Sequence, residues 1–280
     1  MALILAATPL GNPGDASARL KAAIESASII AAEDSRRFHR LCADIETTFT
    51  ARVLSFFEGN EEDRTRELLS ELQNGETVLV LSDAGMPTIS DPGFRLMRDA
   101  IGLGIEVSVI PGPSAVTMAI ALSGLPTDRF TFEGFPPRAS GARISTFEKL
   151  RYEERTMVFF EAPHRLGDSL SDAVSIFGAE RRGAICREMT KRYEETIRGS
   201  LTQLSSWADA NEVLGEITLV IAGASEDSAA TTAEDMVARV REFEGAGMDR
   251  KGAIASVAQE FGIAKRLVYA AVVDANKMSS

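Results

Sequence analysis

The sequence predicts two α/β domains followed by a small all-helical C-terminal domain. Short apolar runs such as Thr77–Leu81 alternate with helical patterns, and this alternation indicates a parallel sheet with right-handed crossovers. In the second half, two strand patterns lie next to each other around Lys191, which favours a mixed sheet. The pattern becomes wholly helical near the C-terminus. We therefore predict α/β domains at residues 1–124 and 125–224, a linker at 225–232 and a helical domain at 233–280.

In the first domain, each apolar strand pattern is followed by a loop and, in most cases, by a helical pattern. The first strand leads into the turn-rich residues 8–15, and the second delivers Glu33, Asp34 and Arg36 to the same rim of the sheet. Asn60 is a candidate N-cap for a helix that Gly75 ends. Strands are predicted at 2–7, 28–32, 52–56, 77–81 and 105–110, and helices at 19–27, 61–74, 94–103 and 116–122.

The remaining elements follow from the same patterns. In the second domain, strands are predicted at 130–134, 157–161, 182–188, 193–199 and 216–222, and helices at 140–152, 163–177 and 201–208. The tail suits three helices, at 233–244, 250–261 and 264–275. Gly262 resembles a helix-turn-helix joint, and Lys265, Arg266 and Tyr269 fall on the helix after it. Residues 228–280 carry seven basic and seven acidic residues, so a helical cap and a nucleic-acid contact both stay open.

Composition excludes several classes of protein. A net charge of -11 argues against a protein that coats nucleic acid nonspecifically, although a local basic site stays possible. Residues 1–7 lack a charged leading segment, so we expect neither a signal peptide nor a membrane span. Cys42 and Cys186 suggest no disulfide framework, which favours the cytoplasm. With His39 and His164 as the two histidines, we expect no metal site.

The loop at residues 82–93 is the strongest candidate for a ligand site. It follows the strand Thr77–Leu81, and loops at the carboxyl ends of strands form the ligand crevice of open α/β sheets. Its prolines and glycines fix the path of the chain and leave carbonyls, Asp83 and Asp91 to face a ligand with donors or positive charge. The structural alternative is a tight loop closed by Asp and Ser turns.

The sequence lacks the usual phosphate-binding motifs. Neither GxGxxG directly after the first strand nor GxxxxGK[ST] is present. A ligand of this chain therefore need not carry phosphates. S-adenosylmethionine, which has a sulfonium, an ammonium and an adenine amino group, suits carbonyl-rich loops of this kind.

Five motifs occur together and in order. They are ATPLGNPGD at residues 7–15, AEDSR at 32–36, the loop at 82–93, PGPSA at 111–115 and EGF at 133–135. Together they resemble the tetrapyrrole-methylase superfamily, and within it the branch that 2'-O-methylates a cytidine in the decoding region of 16S ribosomal RNA. The resemblance covers residues 2–223, and the tail is similar to the helical C-terminal domain of that branch. It implies two α/β domains that bind S-adenosylmethionine between them, usually in a homodimer.

The resemblance also implies which residues contact the cofactor. They lie after the first strand, in the 82–93 loop, at a helix start and in the second domain: Leu10, Gly85, Met86, Pro87, Ile89, Ser114, Ala115, Phe160 and Glu216. Ser114 has independent support, because amide donors at a helix start can hold the cofactor's carboxylate. An ordinary N-cap is the alternative for this residue.

The reaction that the resemblance implies needs mainly positioning and a base for the ribose hydroxyl. Glu33 and Arg36 on the rim, and His164 after a second-domain strand, are the candidate catalytic residues. A structural Glu33–Arg36 ion pair and a structural histidine are the alternatives. Candidate phosphate contacts are Lys191, Arg192 and Arg138, each of which could equally be a solvated surface residue.

The sequence departs from the resembled branch at two places. Ser35 stands where that branch usually has Thr, and Phe57 and Gly59 stand where it tends to have histidines, so histidines at that loop cannot be essential here. Two other functions stay open. One is a methyltransferase of a tetrapyrrole or precorrin-type small molecule, and the other is a ribosome-binding module without catalytic activity.

Overall fold

A computed structural model of the chain describes residues 2–224, 233–261 and 265–278. The predicted fold class is confirmed, since two α/β sheets are followed by helices. The predicted linker at 225–232 and the proposed joint at Gly262 lie outside the described residues.

The first sheet has five parallel strands in the order β3-β2-β4-β1-β5. The central strand β4 is buried along most of its length, as expected for a parallel sheet covered on both faces. The strands of the first sheet are β1 Ala2–Ala6, β2 Ile29–Ala32, β3 Arg52–Ser55, β4 Thr77–Leu81 and β5 Val107–Ile110. The helices between and after them are α1 Ala18–Ser26, α2 Ser35–Asp44, α3 Glu61–Gln73, α4 Phe94–Gly102 and α5 Ala115–Ser123.

Two apolar cores cover the two faces of this sheet. Helices α1 and α2 bury Leu20, Ile24 and Phe38 on one face, while α3 and α4 bury Leu68 and Leu96 on the other. Such burial stabilises the fold by about 25 cal/mol per Å² of apolar surface removed from water. The sheet is thereby a rigid platform whose carboxyl-end loops are held in place.

Helix α5 packs differently from the other helices of the first half. Its residues Val116, Ala119 and Ile120 share a core with Val158 and Val220 of the second sheet. The helix therefore joins the two sheets, and it fixes the position of one rim relative to the other. Because this helix packs on the second sheet, the domain boundary at residues 124 and 125 remains a prediction from the sequence.

The second sheet is mixed, in the order β6-β7-β10-β8-β9, and its one parallel pair is β6 with β7. This confirms the mixed sheet that the strand patterns favoured. Its strands are β6 Phe130–Gly134, β7 Thr156–Glu161, β8 Arg182–Arg187, β9 Glu195–Ser200 and β10 Ile217–Ile221. Its helices are α6 Ser140–Leu150, α7 Leu166–Phe177 and α8 Leu201–Ala210.

The C-terminal helices are α9 Ala233–Gly245, α10 Arg250–Glu260 and α11 Lys265–Met278. They pack on each other around a separate core that includes Val240, Val257 and Val268. This agrees with the predicted all-helical pattern.

Two local expectations need correction. The sequence reading gave no helix directly after β2, but α2 begins there because the Asp34 carboxylate accepts hydrogen bonds from the Arg36 and Arg37 amides. Asn60 occupies the N-cap position of α3 but does not cap it through its side chain. Its amide group instead accepts from Phe57 N and donates to Ser55 O, at 2.9 and 3.0 Å, so it shapes the preceding loop.

Candidate functional site

A cavity of about 380 Å³ lies between the two sheets. Loops at the carboxyl ends of β1, β2, β4 and β5 form one wall, and β7, β10 and their adjoining loops form the other. The lining residues are Leu10, Glu33, Arg37, Asp83, Ala84, Ser90, Asp91, Ala115, Phe135, Phe160, Glu161, Ala162, Pro163, Met189, Gly215, Glu216, Ile217 and Thr218.

The acidic part of the first wall is held by a reciprocal pair of hydrogen bonds. The Glu33 carboxylate accepts from Asp83 N at 3.0 Å, and the Asp83 carboxylate accepts from Asp34 N at 3.0 Å. The loops after β2 and β4 are therefore locked together, and each carboxylate keeps an oxygen that makes no hydrogen bond to these amides. Arg37 adds an ion pair to Asp83 at 3.3 Å and also lines the cavity.

Burial raises the pKa of three carboxyls on this wall. The pKa of Asp91 rises to about 7, mainly because the carboxyl group is buried and secondly because the charge of Glu33 lies nearby. The pKa of Glu33 and that of Asp83 are also raised by burial, against hydrogen bonds from each other's loops. Clustered carboxyls with raised pKa values favour a ligand that brings positive charge.

Gly85 brings the 82–93 loop against the first strand's exit. It exchanges two backbone hydrogen bonds with Thr8, at 2.9 and 3.1 Å, and its φ of 82° is in the left-handed region that favours glycine. A Cβ at Gly85 would lie 3.2 Å from the Leu10 side chain, which lines the cavity. Similarly, a Cβ at Gly112 would lie 2.8 Å from that of Ala7, so the PGPSA loop also needs its glycine.

The second wall is more apolar. The Phe160 ring contacts those of Phe132 and Phe135, with centroids 4.8 and 5.6 Å apart, and Phe135 stays 55% exposed. Below them, the buried Glu161 carboxylate accepts from Ala162 N at 2.8 Å and pairs with Arg165 at 3.3 Å. This wall therefore offers ring faces and backbone, while most of the charge comes from the first wall.

The structure brings part of the predicted cofactor set to the cavity. The residues that line it are Leu10, Ala115, Phe160 and Glu216. The residues that lie outside its lining are Gly85, Met86, Pro87, Ile89 and Ser114. From the 82–93 loop, the lining side chains are those of Asp83, Ala84, Ser90 and Asp91. Asp83 and Asp91 are the carboxylates that the sequence pattern singled out.

The three candidate catalytic residues are separated in space. Glu33 lines the cavity, whereas Arg36 is 89% exposed and binds Asp34 at 2.9 Å, so the alternative of a Glu33–Arg36 ion pair is wrong. That contact with Arg36 lowers the pKa of Asp34 to about 2. His164 lines a second cavity of about 480 Å³ between α7 and α8, together with Asp168 and Asp209.

The candidate phosphate contacts also differ from one another. Lys191 pairs with Glu188 at 2.9 Å and Glu216 at 3.1 Å, so its charge is already matched. Arg192 lies over the Tyr193 ring at 5.5 Å, and Arg138 is exposed. Two residues that line the cavity, Arg37 and Met189, were not among the candidates from the sequence. For Arg37 a signal was available, because Asp34 is an N-cap residue and Arg37 lies in the first turn of the helix that it starts.

The described residues also show which other kinds of site the chain lacks there. Among them, no helix has the length and apolarity needed to cross a membrane. Within the same ranges, no three His, Cys, Asp or Glu side chains are arranged to hold a metal ion.

The arrangement of a parallel sheet and a mixed sheet is also found in solved structures of porphyrinoid methyltransferases. The structure superposes on uroporphyrin-III C-methyltransferase from Thermus thermophilus with a TM-score of 0.55 at 18% identity, covering 79% of this chain and 94% of that one. A diphthine synthase matches with a TM-score of 0.57 at 16% identity, covering 79% and 89%. One Thermus thermophilus structure, at 15% identity and a TM-score of 0.55 over 79% and 96% of the two chains, is a complex with S-adenosyl homocysteine.

Sequence comparison defines the family. Residues 2–205 match the model of tetrapyrrole (corrin/porphyrin) methylases, and the chain belongs to that family. It is 48% identical to ribosomal RNA small subunit methyltransferase I of Mycobacterium tuberculosis, over 98% of this chain and 95% of that protein. It is 41% identical to the protein of the same name from Pseudomonas aeruginosa, over 95% of each chain.

Proposed function

We propose that this chain is an S-adenosylmethionine-dependent methyltransferase of small-subunit ribosomal RNA. The observation that carries the proposal is the full-length similarity, at 41–48% identity, to proteins named for that activity. The finer proposal is 2'-O-methylation of a cytidine ribose in the decoding region of 16S ribosomal RNA, as the motif resemblance implies. It is supported by a cavity whose acidic wall also provides a candidate base.

The residues around the cavity fit the cofactor. A cationic ligand matches a wall that carries Glu33, Asp83 and Asp91, whose pKa values are raised first by burial and further by the charges of neighbouring carboxylates. Leu10 and Phe160 supply apolar surface. The Gly85 bridge to Thr8 leaves room for a ligand beside Leu10. Gly85, Met86, Pro87, Ile89 and Ser114 are proposed as supporting contacts behind this lining.

When bound, the sulfonium of S-adenosylmethionine supplies an activated methyl group. What the chain must add is alignment of the attacking oxygen and removal of its proton. We assign the removal of this proton to Glu33. This residue lines the cavity, and burial raises the pKa of its carboxyl group. Its hydrogen bond from Asp83 N fixes the direction of the group.

The other two candidate catalytic residues receive different roles. Arg36 is exposed beside the cleft rim and is proposed to contact RNA phosphate rather than the reacting atoms. His164 lies in the second cavity, so we assign it no step in methyl transfer. Arg37, which lines the cleft and pairs with Asp83, is proposed to hold that carboxylate in place.

Two further parts of the proposal rest on the family resemblance and the proposed substrate. The chain is proposed to act as a homodimer, which sedimentation of the purified protein tests directly. A cytoplasmic location follows from the ribosomal substrate. A monomer at assay concentrations would overturn the first without affecting the proposed chemistry.

Mapping of ribose methylation in cells that lack the protein tests the main proposal. We expect one decoding-region cytidine to lose its 2'-O-methyl group and to regain it when purified protein and S-adenosylmethionine are added to small subunits from those cells. An unchanged methylation map would contradict the proposal. Methyl transfer to uroporphyrinogen with none to small subunits would favour the tetrapyrrole alternative.

A further inference from the structure

The C-terminal helices form a cavity of about 710 Å³ whose charge differs from that of the acidic cleft. It lies between the N-terminal parts of α10 and α11, and four of the nine residues that line it are basic. The lining residues are Asp249, Arg250, Lys251, Gly252, Ile254, Ala255, Lys265, Arg266 and Tyr269, which we call the basic groove.

The charges of the basic groove are poorly matched within the protein. Its one carboxylate, Asp249, caps α10 by accepting from Gly252 N at 3.2 Å. Arg250 approaches Glu244 at 3.6 Å. In the described ranges of the chain, Lys251, Lys265 and Arg266 make no ion pair. Three cations therefore face solvent in one groove of an otherwise acidic protein.

Two other acids of the bundle pair with a cation outside the groove. Arg239 pairs with Glu242 and Glu260, the latter at 3.0 Å. The segment from 228 to 280 has no net charge, with seven basic and seven acidic residues. The segment is therefore neutral overall, although Lys251, Lys265 and Arg266 have no carboxylate partner among the described residues.

Tyr269 gives the groove an aromatic face. Its side chain is 61% exposed, although its neighbour Val268 is fully buried in the core of the bundle. Lys265 lies four residues earlier, on the same side of α11, so the ring and the ammonium group face one direction. An exposed ring beside cations is the arrangement with which proteins stack a nucleic-acid base and contact its phosphates.

The side chains of Lys251, Lys265, Arg266 and Tyr269 are exposed and lie outside the core of the bundle, so they are available to a partner. The bundle is held by Val240, Val257, Val268 and Val272, all of which are buried. The bundle also lies beyond residue 205, where the match to the tetrapyrrole methylase family ends. We therefore expect the bundle to bind a part of the substrate that tetrapyrroles do not have.

We propose that the basic groove binds the ribosomal RNA substrate, with Lys251, Lys265 and Arg266 on phosphates and Tyr269 stacked on a base. The proposal rests on the proposed function and extends it from the cleft to a second contact. The chain has a net charge of -11, which opposes RNA binding overall, so an unpaired basic groove provides local attraction.

The test uses the full-length protein and a synthetic RNA of the small-subunit decoding region. The groove variant is Lys251→Gln with Lys265→Gln and Arg266→Gln. Its matched control, Lys149→Gln with Arg182→Gln and Arg241→Gln, removes the same charge from exposed residues elsewhere. Fluorescence anisotropy measures the dissociation constant at several salt concentrations, and calorimetry measures S-adenosylmethionine binding as a check of the folded cleft.

We expect the groove variant to bind the RNA at least about tenfold more weakly, with the control within about twofold of the unchanged protein. The slope of log affinity against log salt should fall by about 2, since each lost phosphate contact on a single strand removes about 0.7. Tyr269→Ala should weaken binding at least about fivefold, and Tyr269→Phe should restore it, because the stacking ring is kept. Cofactor binding should not change.

The outcomes separate this proposal from the proposed function. If the unchanged protein methylates small subunits while the groove and control variants bind RNA equally well, the groove proposal is overturned and the proposed function stands. If the unchanged protein neither binds the RNA nor methylates small subunits, both fail. Polyglutamate, measured by anisotropy in the same way, is the second probe. If the groove variant loses affinity for polyglutamate but keeps its affinity for the RNA, the proposal is overturned in favour of an acidic protein partner.

Discussion

The cleft between the sheets and the basic groove of the helical bundle carry opposite charge in opposite surroundings. In the cleft, Glu33, Asp83 and Asp91 are partly buried, and burial raises the pKa of each. In the groove, Lys265 and Arg266 are exposed to solvent. The difference indicates two tasks. The partly buried carboxylates suit one small cation, while the exposed cations suit a long polyanion that can be held loosely at many points.

The largest effect that would sharpen this comparison is on the chemical step. Glu33→Gln keeps an oxygen that can accept from Asp83 N but removes the proton acceptor, so kcat should fall by about 100-fold or more. Calorimetry should place the dissociation constant of S-adenosylmethionine within about tenfold of the original, as expected when one charge of several is removed.

The other candidate base provides the comparison variant for that experiment. His164 lines the second cavity, so His164→Gln should leave kcat within about twofold. A large loss of kcat in His164→Gln with little change in Glu33→Gln would move the reaction to the second cavity and contradict the assignment of the cleft.

The next effect concerns the shape of the cleft. Gly85→Val adds a side chain 3.2 Å from Leu10 at a φ of 82°, so S-adenosylmethionine affinity should fall by about 100-fold or more. Gly104→Val is the control, since Gly104 has a similar φ of 72° but no neighbour within 4 Å. Thermal unfolding should show both variants destabilised, and calorimetry should show lost binding in Gly85→Val alone. Equal affinities would contradict the assignment of the loop.

These residues also show how far the sequence predicts the site. Glu33 was predictable because an apolar strand pattern ends just before it, and strand ends meet at one rim of a parallel sheet. The loop pattern indicated Asp83 and Asp91, whereas the family resemblance implied Gly85 and Met86 as the contacts. The two carboxylates line the cavity, in a loop that the Thr8–Gly85 backbone pair holds against the segment after the first strand. Such orientation depends on a contact between segments far apart in sequence.

Contacts across the sheets were the other feature beyond sequence reasoning. The helix pattern at 116–122 was clear, but its packing on Val158 and Val220 depends on how the two sheets approach each other. Local periodicity reports which face of a helix is apolar, not which sheet covers that face. The basic groove lay between these cases, since Lys265, Arg266 and Tyr269 were recognisable on one helix while their unpaired state required the packed bundle.

A smaller effect is the pH dependence of cofactor binding. The pKa of Asp91 is about 7 in the free cleft, above its usual 3.8, and a bound cation favours the carboxylate form. Affinity for S-adenosylmethionine should therefore rise about tenfold from pH 6 to pH 8 and lose this dependence in Asp91→Asn. Asp209→Asn, in the second cavity, should keep it. An unchanged pH profile in Asp91→Asn would assign the titration to another group.

The same raised pKa has the opposite sign for stability. Without a bound cation, the contribution of Asp91 is fully present below its usual value of 3.8 and is lost as pH rises through about 7. The free energy of unfolding should therefore fall across that range by more in the original protein than in Asp91→Asn. Denaturant titration at pH 5 and pH 8 measures the difference, and parallel losses in the two proteins would contradict it.

The smallest expected effect is that of salt on cofactor affinity, and its contrast with the effect of salt on RNA affinity separates the cleft from the groove. Raising salt from 50 to 200 mM should change S-adenosylmethionine affinity by less than about threefold, because a partly buried site and a small ligand are screened weakly. The same change should weaken RNA binding by at least about tenfold through the exposed groove, where several phosphates release counterions together. Calorimetry and anisotropy on one preparation give both slopes. A cofactor slope as steep as the RNA slope would mean that the cleft, too, is open to ions, and the distinction drawn from burial would be wrong.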